Sequence, residues 1–395
     1  MFKHISCLVF SGLASFTVGM AQAADTATLS AVDQQLRQEV GALLQKKCER
    51  DEFSGAVLIA KHGQVLFESV CGEASQRYHV PNKLDTKFNI ASVGKMFTAV
   101  AIAQLVEAGR LSYDDKLDKF LDVSWLPAAV SKRITVGQLL NHTSGLPEFL
   151  SRAKARHSSR AMYKELVDMK PLLEGLTPSF SPGTRYSYSN TGYLLLGAII
   201  EKLSGENYFS YVRQHIYQPA GMQDSDSYAL DDPVDNLAMG YMDIQKNSGR
   251  RQESSFEGLL RGSAFGCGYS TLHDLLRFSE ALNNGSLLKA ESLQVLWQNH
   301  TPGNMTMSKH DYGYGFQLHS GDAGRVVGHS GHFTGARANF DMYQDAGYVV
   351  ILLSNYELKF PLAADIEDLI VRAKALTKAQ ANTVSQAQPL QASGK

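Results

Sequence analysis

The chain has 395 residues, 44% of them hydrophobic and 19% charged, with a formal net charge of -1. A chain of this size and composition can bury a substantial core, as one large domain or two smaller ones, which excludes disorder for its bulk. The near-neutral balance, with no dense Lys/Arg run, excludes a nucleic-acid footprint and a strongly attracting membrane surface.

At the N-terminus Lys3 precedes a mostly apolar stretch from Ile5 to Met20 and the small-x-small run Ala21-Gln22-Ala23, the pattern of a cleaved export signal. Residues 1–23 are therefore expected to be a signal peptide, giving an exported bacterial protein, periplasmic or secreted. The stretch is shorter than the roughly 20 apolar residues a spanning helix needs, so no membrane span is expected after cleavage. Cys7 should leave with the signal, and Cys48, Cys71 and Cys267 remain.

Val32, Leu36, Val40, Leu43 and Leu44 recur at helical spacing and predict a helix over about 28–47. Residues 54–60 and 64–70 alternate around Lys61-His62-Gly63 like a hairpin. That hairpin would bring Cys71 near the residues following Cys48, so a Cys48–Cys71 disulfide is one reading; three buried thiols acting as small hydrophobes is the other. A helix from Ser92 follows, with Met96, Val100, Ile102 and Leu105 along one side and Gly109 as its stop. The middle of the chain reads mainly helical, over 136–140, 161–172, 193–203, 272–282 and 290–297. The pattern returns to strands at 325–329, 336–343 and 347–354, rich in Val, Ile and aromatics. A last helix over 361–375 precedes a tail, 376–395, whose Ala, Gln, Ser and Thr predict disorder.

The implied fold class is α/β of the α+β kind: one antiparallel sheet built from both chain ends, flanked by helices, with a mainly helical lobe of about 95–300 inserted within a domain spanning 24–375. The cleft between lobe and sheet is the natural binding site.

Three short segments carry chemistry. Phe88-Asn89-Ile90-Ala91-Ser92-Val93-Gly94-Lys95 sets a hydroxyl and an amine one helical turn apart. A serine hydroxyl is a poor nucleophile at neutral pH and needs a base within hydrogen-bond reach, and a lysine in a partly desolvated cleft can act as that base. Tyr188-Ser189-Asn190 offers a phenol able to shuttle protons and an amide able to bind a substrate amide. Gly328-His329-Ser330-Gly331-His332 lies on an expected strand where Gly331 admits a ligand backbone. Taken singly, each string is commonplace, as an N-cap, a packed ring or a glycine bend.

Together they resemble the penicillin-recognising serine hydrolases, specifically the class C β-lactamase-like family with its D-alanyl-D-alanine carboxypeptidases and esterases. The resemblance covers about residues 30–375 and includes Leu139-Leu140-Asn141-His142-Thr143-Ser144-Gly145-Leu146-Pro147, Pro182-Gly183 and Gly268-Tyr269-Ser270-Thr271. It implies a β-lactamase/transpeptidase-like fold and a covalent acyl-enzyme on Ser92, with Lys95 as base partner and Tyr188 passing protons to the leaving group. The resemblance leaves open which of Lys95 and Tyr188 takes the first proton. It further implies that Asn190, His329, Gly331 and His332 bind substrate, and that the backbone N–H groups of Ser92 and His332 form the oxyanion hole. No cofactor is implied; the partner is a peptide or small-molecule substrate.

His329 stands where β-lactamases of this family carry lysine. Imidazole is largely neutral at pH 7, so its grip on a substrate carboxylate should be weaker and should change as it titrates. That favours peptidase or esterase activity with weak β-lactam turnover over a true β-lactamase or a non-catalytic peptidoglycan sensor. His329 and His332 point to opposite strand faces, so no metal site is expected. His142 is expected to brace a loop. An α/β-hydrolase is excluded, because Gly328 to His332 lacks the final glycine of a nucleophile elbow.

Overall fold

The computed structural model describes residues 29–155, 159, 162–244, 250–255, 259–302, 311–357 and 362–386; the expected signal peptide lies outside them. Helix α1 (Ala31–Glu49) leads into the hairpin β1 (Gly55–Lys61) and β2 (Gln64–Cys71), and the late strands are β3 (Asp311–Tyr312), β4 (Gln317–Gly321), β5 (Gly324–Phe333), β6 (Ala336–Tyr343) and β7 (Tyr348–Ser354). These form one seven-stranded antiparallel sheet in the order β2-β1-β7-β6-β5-β4-β3. The first and last strands of the domain are therefore direct neighbours, with Ala56 opposite Leu353 and Ile59 opposite Val350.

Both faces of the sheet are covered, which is why β7 reads as an unbroken apolar run, Tyr-Val-Val-Ile-Leu-Leu-Ser. Its alternate residues go to opposite cores. Val349, Ile351 and Leu353 join the large cluster containing α2 (Lys95–Glu107), α3 (Val136–Leu140), α4 (Asn190–Ser204) and α5 (Leu272–Asn283). Val350 and Leu352 meet α1 and the C-terminal helix α6 (Leu362–Gln386) on the other side. Lys61 and Tyr348 both hydrogen-bond Asp33, at 2.9 and 2.7 Å, and tie α1 to the sheet.

Cys48 and Cys71 are joined in a disulfide, the first of the two readings of these cysteines. The turn around Ser92 differs from the expected helix start. Ala91–Gly94 is a 3₁₀ turn, and the α-helix begins at Lys95. Ala91 takes a positive φ of 45°, and its carbonyl accepts the N–H of Cys267 at 2.9 Å, so it is turned away from an α-helical partner. The helix expected over 161–172 is shorter, a 3₁₀ turn Leu166–Met169 followed by Lys170–Leu173. At the other end α6 runs to Gln386, beyond the expected stop at 375, so the first part of the expected disordered tail is helical. Residues 376–386 contain neither proline nor glycine, and nothing in them breaks a helix once packing has nucleated it.

Candidate active site

Three separate elements bring their side chains to one point. The 3₁₀ turn carries Ser92, the first residue of α2 is Lys95, and the loop entering α4 carries Tyr188. Ser92 Oγ lies 3.2 Å from Lys95 Nζ and accepts a hydrogen bond from Tyr188 Oη at 2.8 Å. Close backbone packing makes the turn possible. A Cβ on Gly331 of β5 would collide with the Ile90 carbonyl and lie 3.2 Å from Ser92 N, and a Cβ on Gly266 (φ 126°) would collide with the Ala91 carbonyl. Gly331 thus lets a strand lie against the nucleophile turn, a closer constraint than the ligand approach expected of it.

Lys95 is fully buried. Its Nζ donates to Asn190 Oδ1 at 2.7 Å and to the Phe265 carbonyl at 2.5 Å. Burial disfavours the ammonium and lowers the pKa to about 7, against weaker opposing contributions from Cys267 and Glu148. A neutral amine has two protons and one lone pair. The two acceptors that cannot give up a proton fix both N–H bonds, and the lone pair is left for Ser92 Oγ.

Asn190 is held in turn by Glu148, whose Oε2 accepts from the Asn190 backbone N–H at 3.0 Å and from Nδ2 at 2.9 Å. The carboxamide expected to bind substrate is therefore committed to orienting Lys95, with at most one Nδ2 proton left for another partner. Glu148 was not singled out by the sequence; its only signal is that it follows Pro147 at the end of the His142 segment.

Tyr188 is 37% exposed as a residue, and its hydroxyl points at Ser92 Oγ. Desolvation of that hydroxyl raises its pKa above the usual tyrosine value, so the phenol stays protonated in the resting site. The Lys95 amine lies 4.8 Å from the ring centre. Behind the ring, His142 packs at 4.2 Å between centroids. The His142 carbonyl accepts Ser187 N–H at 2.9 Å, its Nδ1 accepts Ser189 N–H at 3.2 Å, and Thr143 O accepts Gly183 N–H at 2.8 Å. The Asn141–Gly145 segment is thus the platform on which the tyrosine loop is laid, as expected of a bracing histidine. Burial and the nearby Lys95 keep the His142 imidazole neutral, with its pKa below the usual value.

His329 departs from expectation. It is 1% exposed, its Nε2 accepts from Tyr312 Oη at 2.8 Å, and its Nδ1 lies 2.6 Å from the Ser330 carbonyl. Both ring nitrogens are used internally, and burial together with Lys95 lowers the pKa to about 3. It presents no imidazolium to a substrate carboxylate at any ordinary pH. His332 is on the surface, its side chain 3.1 Å from Glu357, so only its backbone N–H can serve the site.

A family model described as beta-lactamase matches residues 32–374. A penicillin-binding protein of Bacillus subtilis (strain 168) is 34% identical over 337 residues, covering 82% of this chain and 73% of the relative. The structure of a penicillin binding protein from Bacillus halodurans superposes with a TM-score of 0.74 at 29% identity, covering 84% of this chain and 98% of that one. D-amino acid amidase from Ochrobactrum anthropi SV3, complexed with L-phenylalanine amide, superposes with a TM-score of 0.72 at 25% identity, covering 88% and 99%.

Proposed function

The chain belongs to the beta-lactamase family of serine hydrolases, and from that premise we propose that it cleaves amide, peptide or ester bonds through an acyl-enzyme on Ser92. The observation that carries this reading is the environment of Lys95: a buried amine with both neutral-state protons assigned to acceptors and its third direction facing Ser92 Oγ.

Ser92 Oγ attacks the substrate carbonyl and gives its proton to Lys95. The oxyanion is received by the backbone N–H groups of Ser92 and His332, which belong to the turn and strand that Gly331 brings together. Tyr188, protonated at rest, donates its proton to the leaving nitrogen or oxygen, and the ester on Ser92 remains. Water then attacks that ester and returns a proton to Tyr188. Lys95 gives its proton back to Ser92 Oγ as the acid departs, and each group is restored.

The internal use of His329 favours amidase or esterase chemistry over efficient turnover of β-lactams or C-terminal peptides, both of which carry a carboxylate to be held. The Cys48–Cys71 disulfide supports export to an oxidising compartment. Among the described residues no helix is long and apolar enough to cross a membrane.

Labelling with a fluorescent phosphonate or penicillin, followed by peptide mapping, should place the adduct on Ser92. Assays with nitrocefin, p-nitrophenyl acetate and a D-Ala-D-Ala peptide should then show the ester, which has no carboxylate to be held, turned over faster than the lactam. Absence of any Ser92 adduct with all probes would make this a binding protein.

A further inference from the structure

A small apolar slot of about 110 Å³ lies between Phe149, Tyr163, Met169 and Leu172, and is closed by Leu259 and Phe333. Each of three routes connects it to the catalytic groups. Phe149 directly follows Glu148, which holds Asn190. The Phe149 ring packs edge-on against Phe265 at 5.3 Å, and the Phe265 carbonyl receives Lys95. Phe333 directly follows His332 on β5.

Direction along β5 gives the slot its role. The His329 ring lies 6.5 Å from the Tyr188 ring, Gly331 packs against the Ser92 turn, and Phe333 reaches the slot. At about 3.3 Å per residue, the slot end of this run is about 13 Å from the Tyr188 end. The leaving group must depart on the side of Tyr188, which protonates it, so the slot faces the half of the substrate that stays on Ser92.

We propose that this slot is the selectivity pocket for the acyl group, and that the preferred substrates carry a branched aliphatic side chain next to the scissile carbonyl. A cavity of about 150 Å³ accepts benzene, so a slot somewhat smaller than that suits a leucine- or valine-sized group and is tight for a benzyl group. Beyond Leu259 and Phe333 the slot adjoins a second cavity of about 900 Å³, bordered by Ser75, Asn236 and Ser254, which gives room for a longer, more polar acyl chain. This assignment rests on the acyl-enzyme reading above.

The test compares kcat/KM for p-nitrophenyl acetate and p-nitrophenyl 3-methylbutanoate, each divided by its hydroxide-catalysed rate. Wild type should favour the branched ester at least tenfold, in line with about 0.8 kcal/mol per buried methylene. Leu259→Trp, which fills the slot, should bring the ratio close to one. Because a ratio is read, it is insensitive to the fraction of protein folded. A wild-type ratio near one overturns the proposal, as does a high ratio that survives Leu259→Trp. If neither ester is hydrolysed and Ser92 takes no phosphonate, the acyl-enzyme reading has failed. The slot is then judged by ligand-observed NMR of Ser92→Ala protein with D-leucinamide and D-alaninamide. Tighter binding of D-leucinamide supports it and equal affinity overturns it.

Discussion

A lysine amine costs little to deprotonate once water is removed from around it, and Lys95 has reached that state by full burial, with a pKa of about 7. Two consequences follow for its titration. Acylation needs the neutral amine, so kcat/KM for an ester should rise as pH passes through about 7 and level off above it. Lys95→Met should lower kcat/KM by about 10³-fold or more, in the range of losses when a general base is removed. The limb belongs to Lys95 and not to His329, which stays neutral far below that range. Its midpoint should therefore persist in His329→Gln, and a midpoint that moves with that variant would return the titration to the imidazole. Folding stability is linked with the opposite bearing on design. The unfolded chain holds the lysine proton up to its ordinary pKa of about 10.4, so between about 7 and 10 the native state gains stability as pH rises. Lys95→Met should accordingly be more stable than wild type by about 1–3 kcal/mol at pH 7, with the difference shrinking toward pH 9.5 in urea titrations. Of these groups, Ser92, Lys95 and Tyr188 were legible because each stands in a short recognisable string. Glu148 and the Phe265 carbonyl were not, because they act through contacts 42 and 170 residues away in sequence and a main-chain carbonyl leaves no side-chain signature.

Elements were most legible where a single periodicity governs. Strand β6 occupies the range expected of it, and α4 and α5 each extend only a few residues beyond their expected ranges. The nucleophile turn was misread as a helix start because local spacing cannot report that Cys267 would claim the Ala91 carbonyl. That turn is shaped by neighbours, and Gly331 is the most exacting of them. Gly331→Ala would force β5 off the Ile90 carbonyl, and with it the His332 N–H off the oxyanion position. We expect kcat/KM to fall at least about 100-fold, as when an oxyanion donor is removed, with a stability loss of about 1–3 kcal/mol from overpacking. Activity near wild type in a well-folded Gly331→Ala protein would separate the strand from the chemistry. The disulfide acts on a different element pair. It joins the end of α1 to the end of β2 across 23 residues, on the periphery of the sheet and away from the Ser92 turn. Cys48→Ser with Cys71→Ser should lower stability by about 2–4 kcal/mol, measured by denaturant titration, while kcat changes less than about twofold.

For the molecule as a whole, the decisive feature is that β1 lies between β2 and β7, so the sheet cannot close until both ends of the domain have been made. The alternation of strands at the ends with helices between them was enough to anticipate this arrangement. What the sequence could not supply was the extent of the last helix, since the residues after 375 are compatible with either state and only packing chooses. That packing ends early. Leu362, Ile366, Leu369, Ile370 and Ala373 bury themselves against Val32, Leu36, Val40 and Leu44 of α1, whereas Leu376 is 42% exposed. A chain ending at residue 375 keeps every one of these contacts and should melt within about 2 °C of the full-length protein, with unchanged ester turnover. Ending at residue 361 strips the helix from the outer face of β1 and β7 and uncovers Val57, Ile59, Val350 and Leu352 together. At roughly 1.5–3 kcal/mol for each of these four side chains returned to water, the loss is about 6–12 kcal/mol, as large as the usual 5–15 kcal/mol that holds a domain folded. This shorter chain should therefore be recovered only as aggregate. A soluble, active product ending at 361 would show that α1 alone closes the outer core, and that the pairing of the two terminal helices is dispensable.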